Sequence, residues 1–448
     1  MRGRRGGICR RRPKRNGFLR RAFRRRNGLK IVDVTEFYSE RGGGVRSHLT
    51  IRGHFLCQLG HDHVVIAPGP RDEDALLCAS AAPGRARVVR LAGPALPYDH
   101  TYHLLGRFDK VRRRVREEDP DVLEAHSPYL GAAAVVACGR RTSQIRTAFW
   151  HADHLGTYVE PALAAALGPR LGQVVAEPLR VGVRALLAPF EATFVASRTQ
   201  AERLRTAGVP NVVLAPFGVD VEMFTPSARS QASRHEWLEG ADPHATLLIG
   251  VGRFAFEKRW DVVLDAFARV RKQRPAVLVL FGDGPERERL QLMAPPGVRF
   301  PGFEKDRRRL AAALASADVL VHGCPYETFG LGVAEAVACG LPVVVPDAGG
   351  ARESVDAACG EVYESLDAEA CATAIERLLA RDPCELRLRA LEAAGRAPTL
   401  AQHFEQVLAT YADLRHDRAG GAIGDTPPRT RAAAVREIGD RCHGNDLP

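Results

Sequence analysis

Two carboxylates, Glu327 and Glu335, stand with seven residues between them in the stretch Pro325–Pro342, where Phe329-Gly330-Leu331-Gly332 forms a glycine-rich turn. An Ala/Val-rich segment follows the turn. It ends at Gly340, where a helix C-cap is wanted, and Pro342 prevents its continuation. The flanking apolar runs Val319–His322 and Leu341–Val345 read as buried strands. The turn therefore opens a helix, whose free amides and positive dipole end suit an anion. Carboxylates beside an anion repel it unless they serve its neutral neighbours by accepting hydrogen bonds from hydroxyls. Eight residues of straight helix span about 12 Å, more than the roughly 5–9.5 Å between the carboxyls of a glycoside hydrolase. A pair holding hydroxyls on either side of a diphosphate fits better than an acid/base pair. A nucleotide diphosphate sugar has that layout, with sugar hydroxyls at one end and a ribose at the other. Taken alone, two glutamates at this spacing would be a solvated helix face.

The surrounding segment, PYETFGLGVAEAVACGLPVVVPDAGG, resembles the signature of the family-4 retaining glycosyltransferases of GT-B fold. The resemblance covers about residues 29–414 and is strongest over 246–360. It implies an α/β protein of two doubly wound Rossmann-like domains facing a cleft. It also implies that Glu327 holds the donor sugar, Glu335 the ribose, and Phe329, Gly330, Leu331 and Gly332 the diphosphate. Gly252–Arg259 is similar to the family's G-R-x-x-x-E-K-G segment, which makes Arg253 and Lys258 the diphosphate cations; Arg259 stands where Gly is usual. Arg offers a fork to two phosphate oxygens and Lys a point charge that can follow the leaving group. Pro216-Phe217-Gly218-Val219-Asp220 resembles a P-N-G-V-D junction, with Phe217 for Asn. His151 aligns with a histidine near the reacting sugar in the phosphatidylinositol mannosyltransferase branch. His126 and His154 are further candidates, because α/β sites lie at the carboxyl edge of the sheet. Gly43 and Gly44, in the loop after the first strand Ile31–Val34, are implied to face donor phosphates and acceptor. The catalytic set is thus His151, Arg253, Lys258 and Glu327. No metal and no bound cofactor is expected. The co-substrate is GDP-mannose or a UDP-hexose, and mannose is favoured by the His151 context.

The elements that position these residues follow from the rest of the chain. Its 448 residues suggest two or three domains, and 45% hydrophobic content is ordinary for a globular protein. The net charge of +11 is placed unevenly: residues 1–28 hold thirteen Arg and Lys and no acidic residue, which leaves −2 for everything after. That arm cannot build a core and reads as disordered. It is a candidate contact to an anionic membrane surface, or an extension with no role; nucleic acid is not an expected partner. An N-terminal, acceptor-side domain is expected over 29–224 and a nucleotide-sugar domain over 225–398. A helix returning to the first domain is expected over 399–414, and a disordered tail over 415–448. Asp72-Glu73-Asp74 reads as a solvated turn rather than a metal site, and Ser227–His244 as linker. The ten cysteines show no C-x-x-C pair and read as reduced thiols of a cytoplasmic protein, at most peripheral at the inner membrane surface.

The expected reaction is transfer of a hexose from the donor to a hydroxyl acceptor on a lipid, glycan or small metabolite, with retention. A nucleotide-sugar epimerase on the same fold and an inactive, binding-only relative are the other readings.

Overall fold

The computed structural model describes residues 28–39, 43–78, 82–141 and 144–420. The basic arm up to residue 27 and the tail beyond 420 lie outside the described residues. The first half contains β1 (Lys30–Val34), α1 (Gly44–Gln58), β2 (Asp62–Gly69), β3 (Glu73–Leu76), β4 (Ala86–Ala92), α2 (Phe108–Glu118), β5 (Val122–Ala125), α3 (Leu130–Ala137) and β6 (Ile145–Trp150). It continues with α4 (Glu160–Leu167), α5 (Pro169–Leu187), β7 (Ala192–Val195), α6 (Arg198–Thr206) and β8 (Val212–Leu214). Its eight strands run in the order β3-β4-β2-β1-β5-β6-β7-β8, all parallel except β3.

The second half holds α7 (Gln231–Leu238), β9 (Thr246–Val251), α8 (Trp260–Val270), β10 (Ala276–Phe281), α9 (Arg287–Met293), β11 (Val298–Gly302), α10 (Arg307–Ser316) and β12 (Val319–Val321). Then come α11 (Leu331–Ala338), β13 (Val343–Pro346), β14 (Gly360–Tyr363), α12 (Ala368–Leu379), α13 (Pro383–Ala394) and α14 (Leu400–Gly420). The order β11-β10-β9-β12-β13-β14 is the doubly wound 3-2-1-4-5-6 arrangement. Central strands such as β10, Ala-Val-Leu-Val-Leu-Phe, are buried throughout, because helices cover both faces of a parallel sheet. The strand order reverses between β1 and β5 in one sheet and between β9 and β12 in the other. Ligand crevices open at such switch points, beyond the carboxyl ends of the strands.

α14 crosses back to the first sheet. Val407, Leu408, Tyr411 and Leu414 share a core with Ile31, Phe149 and Phe194. The helix extends past residue 414, and its last turn is tied down by Arg418, which bonds Glu191 and the Gln144 carbonyl.

Two sequence expectations are corrected. Glu73–Leu76 is an antiparallel edge strand rather than part of a turn, and its acidic neighbours are already paired: Asp72 with Lys110, and Asp74 with Arg87 and Arg114. The stretch taken as linker contains α7, N-capped by Ser230, with Trp237 and Leu238 buried in the second core. Its polar composition hid a two-residue apolar anchor.

Candidate active site

The second-domain switch point gathers the expected donor cations. Arg253 follows β9 directly. Its carbonyl accepts a 2.9 Å bond from Trp260 Nε1, which fixes the loop. Its guanidinium reaches across to the first domain, 2.6 Å from Asp99 and 5.1 Å above the Tyr102 ring. Lys258 ends the short turn Phe256–Lys258, and its ammonium bonds the Glu327 carboxylate. Burial opposes the Lys258 charge, but Glu327 outweighs it and lifts the ammonium above its ordinary range. Glu327 in turn sits below the usual carboxylate range, because the Lys258 ammonium overcomes the effect of its burial. His322 lies 3.5 Å from Glu327, and burial pulls it down to about 4. The pair is therefore charged and His322 neutral. His322, Cys324 and Glu327 converge closely enough to hold a metal ion. The Lys258 ammonium already occupies the carboxylate and repels any cation there.

The turn Thr328–Leu331 is pinned from two sides. Gly350 N donates 2.6 Å to the Glu327 carbonyl. Thr328 Oγ1 donates 2.7 Å to the His151 carbonyl of the other domain. Gly330 caps α11 in a left-handed conformation, φ 87°, and a Cβ there would lie 2.7 Å from the Ala351 Cβ. No side chain caps this helix, so its first amides point out of the turn unclaimed. At Gly332 a Cβ would meet nothing nearer than 3.7 Å, so packing alone does not demand glycine there. Glu335 is buried on the next turn of α11 and bonds Arg307 at 2.9 Å. Burial outweighs that cation, Asp220 adds repulsion, and the carboxyl is pushed up to about 7.

On the first domain, Gly43 caps α1 with φ 120°, its Cβ direction 3.2 Å from the Tyr102 hydroxyl, and Gly44 faces open space. His151 closes β6. Its Nε2 is 2.7 Å from Nδ1 of His126, whose own Nε2 faces Glu124 at 3.0 Å and Asp33 at 3.3 Å. Burial works against a charged His126, but the two carboxylates prevail and raise it. Burial, His126 and Arg52 hold His151 well below its ordinary value. Assigned on these partners, His126 donates from Nδ1, His151 accepts at Nε2, and the His151 proton resides on Nδ1. Arg52 bonds Glu124 and Tyr411 and lies 3.4 Å from Asp33, so the return helix shares this network. The amides opening α3 are already taken by the Glu36 carboxylate, which leaves no anion site there.

Lys258, Glu327 and His151 are thus linked through the Glu327–Thr328 backbone. Arg253, on the same domain as Lys258, spans the cleft to Asp99, and Phe329 touches Phe217 edge-on at 5.4 Å. Phe217 stacks on Phe149 and His151, at 5.2 and 5.5 Å, so the ring standing for Asn walls the histidine. Glu335 lies apart, beyond the helix start. His154 stacks on Phe37 rather than joining the His126–His151 pair. Sequence reading missed Asp99 and Tyr102, which come from a loop without a pattern, and gave no role to Glu257, inside the G-R-x-x-x-E-K-G segment, or to His322, at the end of the run Val319–His322. Asp33 and Glu124 did leave a signal, as charges inside otherwise apolar strands.

Two doubly wound domains face a cleft that gathers cations, a carboxylate and helix amides, which is the architecture of the GT-B fold. Residues 42–223 match the family described as Glycosyltransferase Family 4, and residues 234–396 that described as Glycosyl transferases group 1. The GDP-mannose-dependent alpha-(1-6)-phosphatidylinositol dimannoside mannosyltransferase of Mycobacterium tuberculosis (strain ATCC 25177 / H37Ra) is 31% identical, over 89% of this chain and 100% of its own length. A GDP-mannose-dependent alpha-mannosyltransferase of Mycobacterium tuberculosis (strain CDC 1551 / Oshkosh) is 33% identical over 73% of this chain and 82% of its own. Among solved structures, sucrose-phosphate synthase from Thermosynechococcus elongatus superposes with a TM-score of 0.69 at 21% identity, covering 87% of this chain and 100% of that one. The chain belongs to the family-4 retaining glycosyltransferases of GT-B fold, in the branch of the phosphatidylinositol mannosyltransferases. It is an enzyme that moves a hexose from a nucleotide diphosphate sugar to a hydroxyl acceptor.

Proposed function

We propose that the donor is GDP-mannose and the acceptor a hydroxyl on a membrane glycolipid, with mannose transferred at the cytoplasmic face. The observation that carries the site assignment is the charged Lys258–Glu327 pair held beside the uncapped start of α11, one residue from the Thr328–His151 bond. The sugar named rests on the mannosyltransferase relatives.

In this reading Arg253 exchanges Asp99 for phosphate oxygens. Arg253, Lys258 and the amides of Leu331 and Gly332 stabilise the diphosphate where negative charge grows as the bond to the anomeric carbon breaks. Glu327, kept ionised by Lys258, accepts bonds from sugar hydroxyls. Glu335 takes the ribose hydroxyls. His151, neutral and carrying its proton on Nδ1, donates to the sugar or orients the acceptor. The acceptor attacks from the face the diphosphate leaves, and the departing phosphate takes its proton, which retains the configuration. Two protein cations supply the charge neutralisation, so catalysis needs no divalent metal. Residues 1–28 supply an anionic-lipid contact. No helix among the described residues is long and apolar enough to cross a membrane.

Donor hydrolysis and thermal shift against GDP-, UDP- and ADP-sugars, with and without EDTA, test this for wild type and Glu327→Ala. Stabilisation of wild type by GDP-mannose, lost in the variant and indifferent to EDTA, is the expected result. A response only to a UDP-sugar replaces the donor, EDTA sensitivity overturns the metal independence, and no response to any donor overturns the site.

A further inference from the structure

Two cysteines 21 positions apart bring their sulfurs together at the edge of the first sheet. Cys57 lies in the last turn of α1, and Cys78 stands two residues beyond the edge strand β3; their Sγ atoms are 2.6 Å apart. Both are free thiols. Backbone contacts hold each partner in place. The Cys57 carbonyl accepts from Gly60 N at 3.0 Å and from Gly84 N at 3.1 Å. Leu77 N, next to Cys78, donates 2.9 Å to the Ala86 carbonyl. Gly53, one turn back on α1, lets the helix close onto the same corner. A Cβ there would lie 3.2 Å from the Ala86 Cβ and 3.6 Å from Leu77 Cδ1. The thiols therefore meet because α1 and the β3–β4 corner are fastened together around them.

Other thiols of the protein have backbone partners instead. Cys138 donates to the Ala134 carbonyl at 3.1 Å, and Cys339 to that of Ala311 at 3.7 Å. Such cysteines act as small packing groups. Cys57 and Cys78 also differ in access, since Cys57 is 1% exposed and Cys78 half-buried. Burial pushes the Cys57 thiol up to about 12, and Cys78 adds to the effect. Cys57 is thus inert on its own, and Cys78 is the sulfur that a reagent meets first. A shielded thiol touching a more open one is placed to resolve any adduct that forms on it.

We propose that Cys57 and Cys78 form a reversible dithiol–disulfide site, which closes when small-molecule disulfides accumulate and ties α1 to the exposed edge of the first sheet. The oxidant is a low-molecular-weight disulfide, RSSR. The Cys78 thiolate attacks one of its sulfurs, the S–S bond breaks, and one RS⁻ leaves. The Cys57 thiol then gives up its proton as its sulfur attacks Cys78 Sγ, and the second RS⁻ leaves. Two protein thiols become one disulfide, and one RSSR is reduced to two RSH. A small dithiol runs the exchange backwards. What the bond secures is β3, the last strand of its sheet, exposed along most of its length and with Leu76 75% exposed. An unpaired edge of this kind is where a sheet associates with other chains. The site stands independently of the transferase reading and of the donor and acceptor named there.

The test treats the full chain with oxidised glutathione, alkylates the remaining thiols and maps the peptides without reduction. Wild type should yield Cys57 joined to Cys78, and dithiothreitol should restore both thiols. Cys57→Ser should stop at glutathione on Cys78, because no second sulfur resolves it. Cys78→Ser should leave Cys57 unmodified, because burial shields it. Closing a loop of this length should raise the thermal unfolding midpoint by roughly 5–10 °C over the dithiothreitol-treated protein. Wild type that keeps both thiols, stops at a Cys78 mixed disulfide, or joins either cysteine to a different one overturns the site. A midpoint that the bond does not raise overturns the fastening of the edge. The deciding map is made on wild type, so a variant that fails to fold does not obscure the result.

Discussion

Lys258 and Glu327 show how a buried ion pair is shaped for use. Each is buried enough that losing its partner would strand a charge, at a cost of about 3–5 kcal/mol. The pair therefore persists until a ligand replaces one side of it. Removing one group that stabilises developing charge costs about 10²–10³-fold in kcat. Arg253→Ala and Lys258→Ala should each show a loss of that order with GDP-mannose, read by steady-state kinetics. Near-wild-type turnover in both would remove them from the site. Lys258→Ala should also unfold more easily than the double variant Lys258→Ala/Glu327→Gln, because only the single change leaves Glu327 charged and alone. Glu335 makes a separate prediction. Its carboxyl, pushed up to about 7, is partly protonated at neutral pH. Ribose hydroxyls donating to it favour the ionised form, so nucleotide binding should release protons near pH 7. Calorimetric heats of GDP binding should then vary with the ionisation enthalpy of the buffer, and Glu335→Gln should abolish that dependence. The same dependence in the variant would place the proton elsewhere. For stability the sign is the reverse of an ordinary carboxylate. A raised folded value favours folding below about 4.5, and that contribution fades as pH rises through 7.

The start of α11 is the element that turns a fold into a site. Its two glycines have different physical reasons. Gly330 needs φ 87° and has Ala351 in the way of a Cβ. Gly330→Ala should lose at least about 1–2 kcal/mol of stability, the cost of a left-handed L-residue, seen as a lower urea midpoint. Gly332 has space for a methyl and sits in a helix, where Ala is better than Gly by roughly 0.5–1 kcal/mol. Gly332→Ala should fold as well as wild type and yet bind GDP-mannose more weakly, because the methyl takes room a ligand would use. Unchanged donor affinity in that variant would show that the diphosphate lies elsewhere. Arg259 precedes α8 in the same strained backbone region. It takes φ 48° where the family prefers Gly, and Asp261 holds its side chain at 2.8 Å.

At the scale of the molecule, polar contacts across the cleft add to the apolar anchoring of α14 on the first sheet. Glu353 of the second domain reaches α6 of the first, accepting from Arg198 N, Thr199 N and Thr199 Oγ1 at 2.7–2.8 Å. A carboxylate on a helix N-terminus combines capping with a favourable dipole. Glu353→Ala should shift the population toward open forms, giving a larger radius of gyration by solution scattering and a several-fold higher donor KM. An unchanged radius and KM would show that Glu353 does not govern closure. The buried histidines set the acid limit. Burial holds His48 and His151 low, and His322 and His403 at about 4. Below about 6.5 the unfolded chain takes up protons that these folded side chains refuse, so stability falls as pH drops from 6.5 toward 4. The raised His126 opposes this only in part. The urea midpoint at pH 5 should lie below that at pH 7.5, and equal midpoints would contradict it.

Much of this was legible in the chain, for local reasons. The glycine turn, the Ala/Val helix with its Gly340 stop and the apolar strands on either side are short-range patterns, and they located Glu327, Gly330 and Glu335 before any fold was known. The GRFAFEKR segment located Arg253 and Lys258 in the same way. Strand order was implied by alternating strands and helices, because parallel strands need helical crossovers. What the sequence did not contain is which loops meet. Asp99 under Arg253, Thr328 on His151 and Glu353 on α6 all join residues more than fifty positions apart. Such contacts follow from the cleft between two sheets and leave no periodicity behind. Glu335 shows the division within one residue. Its place on the helix was set by spacing, whereas its pKa was decided by the burial and the Arg307 partner that tertiary packing brought to it.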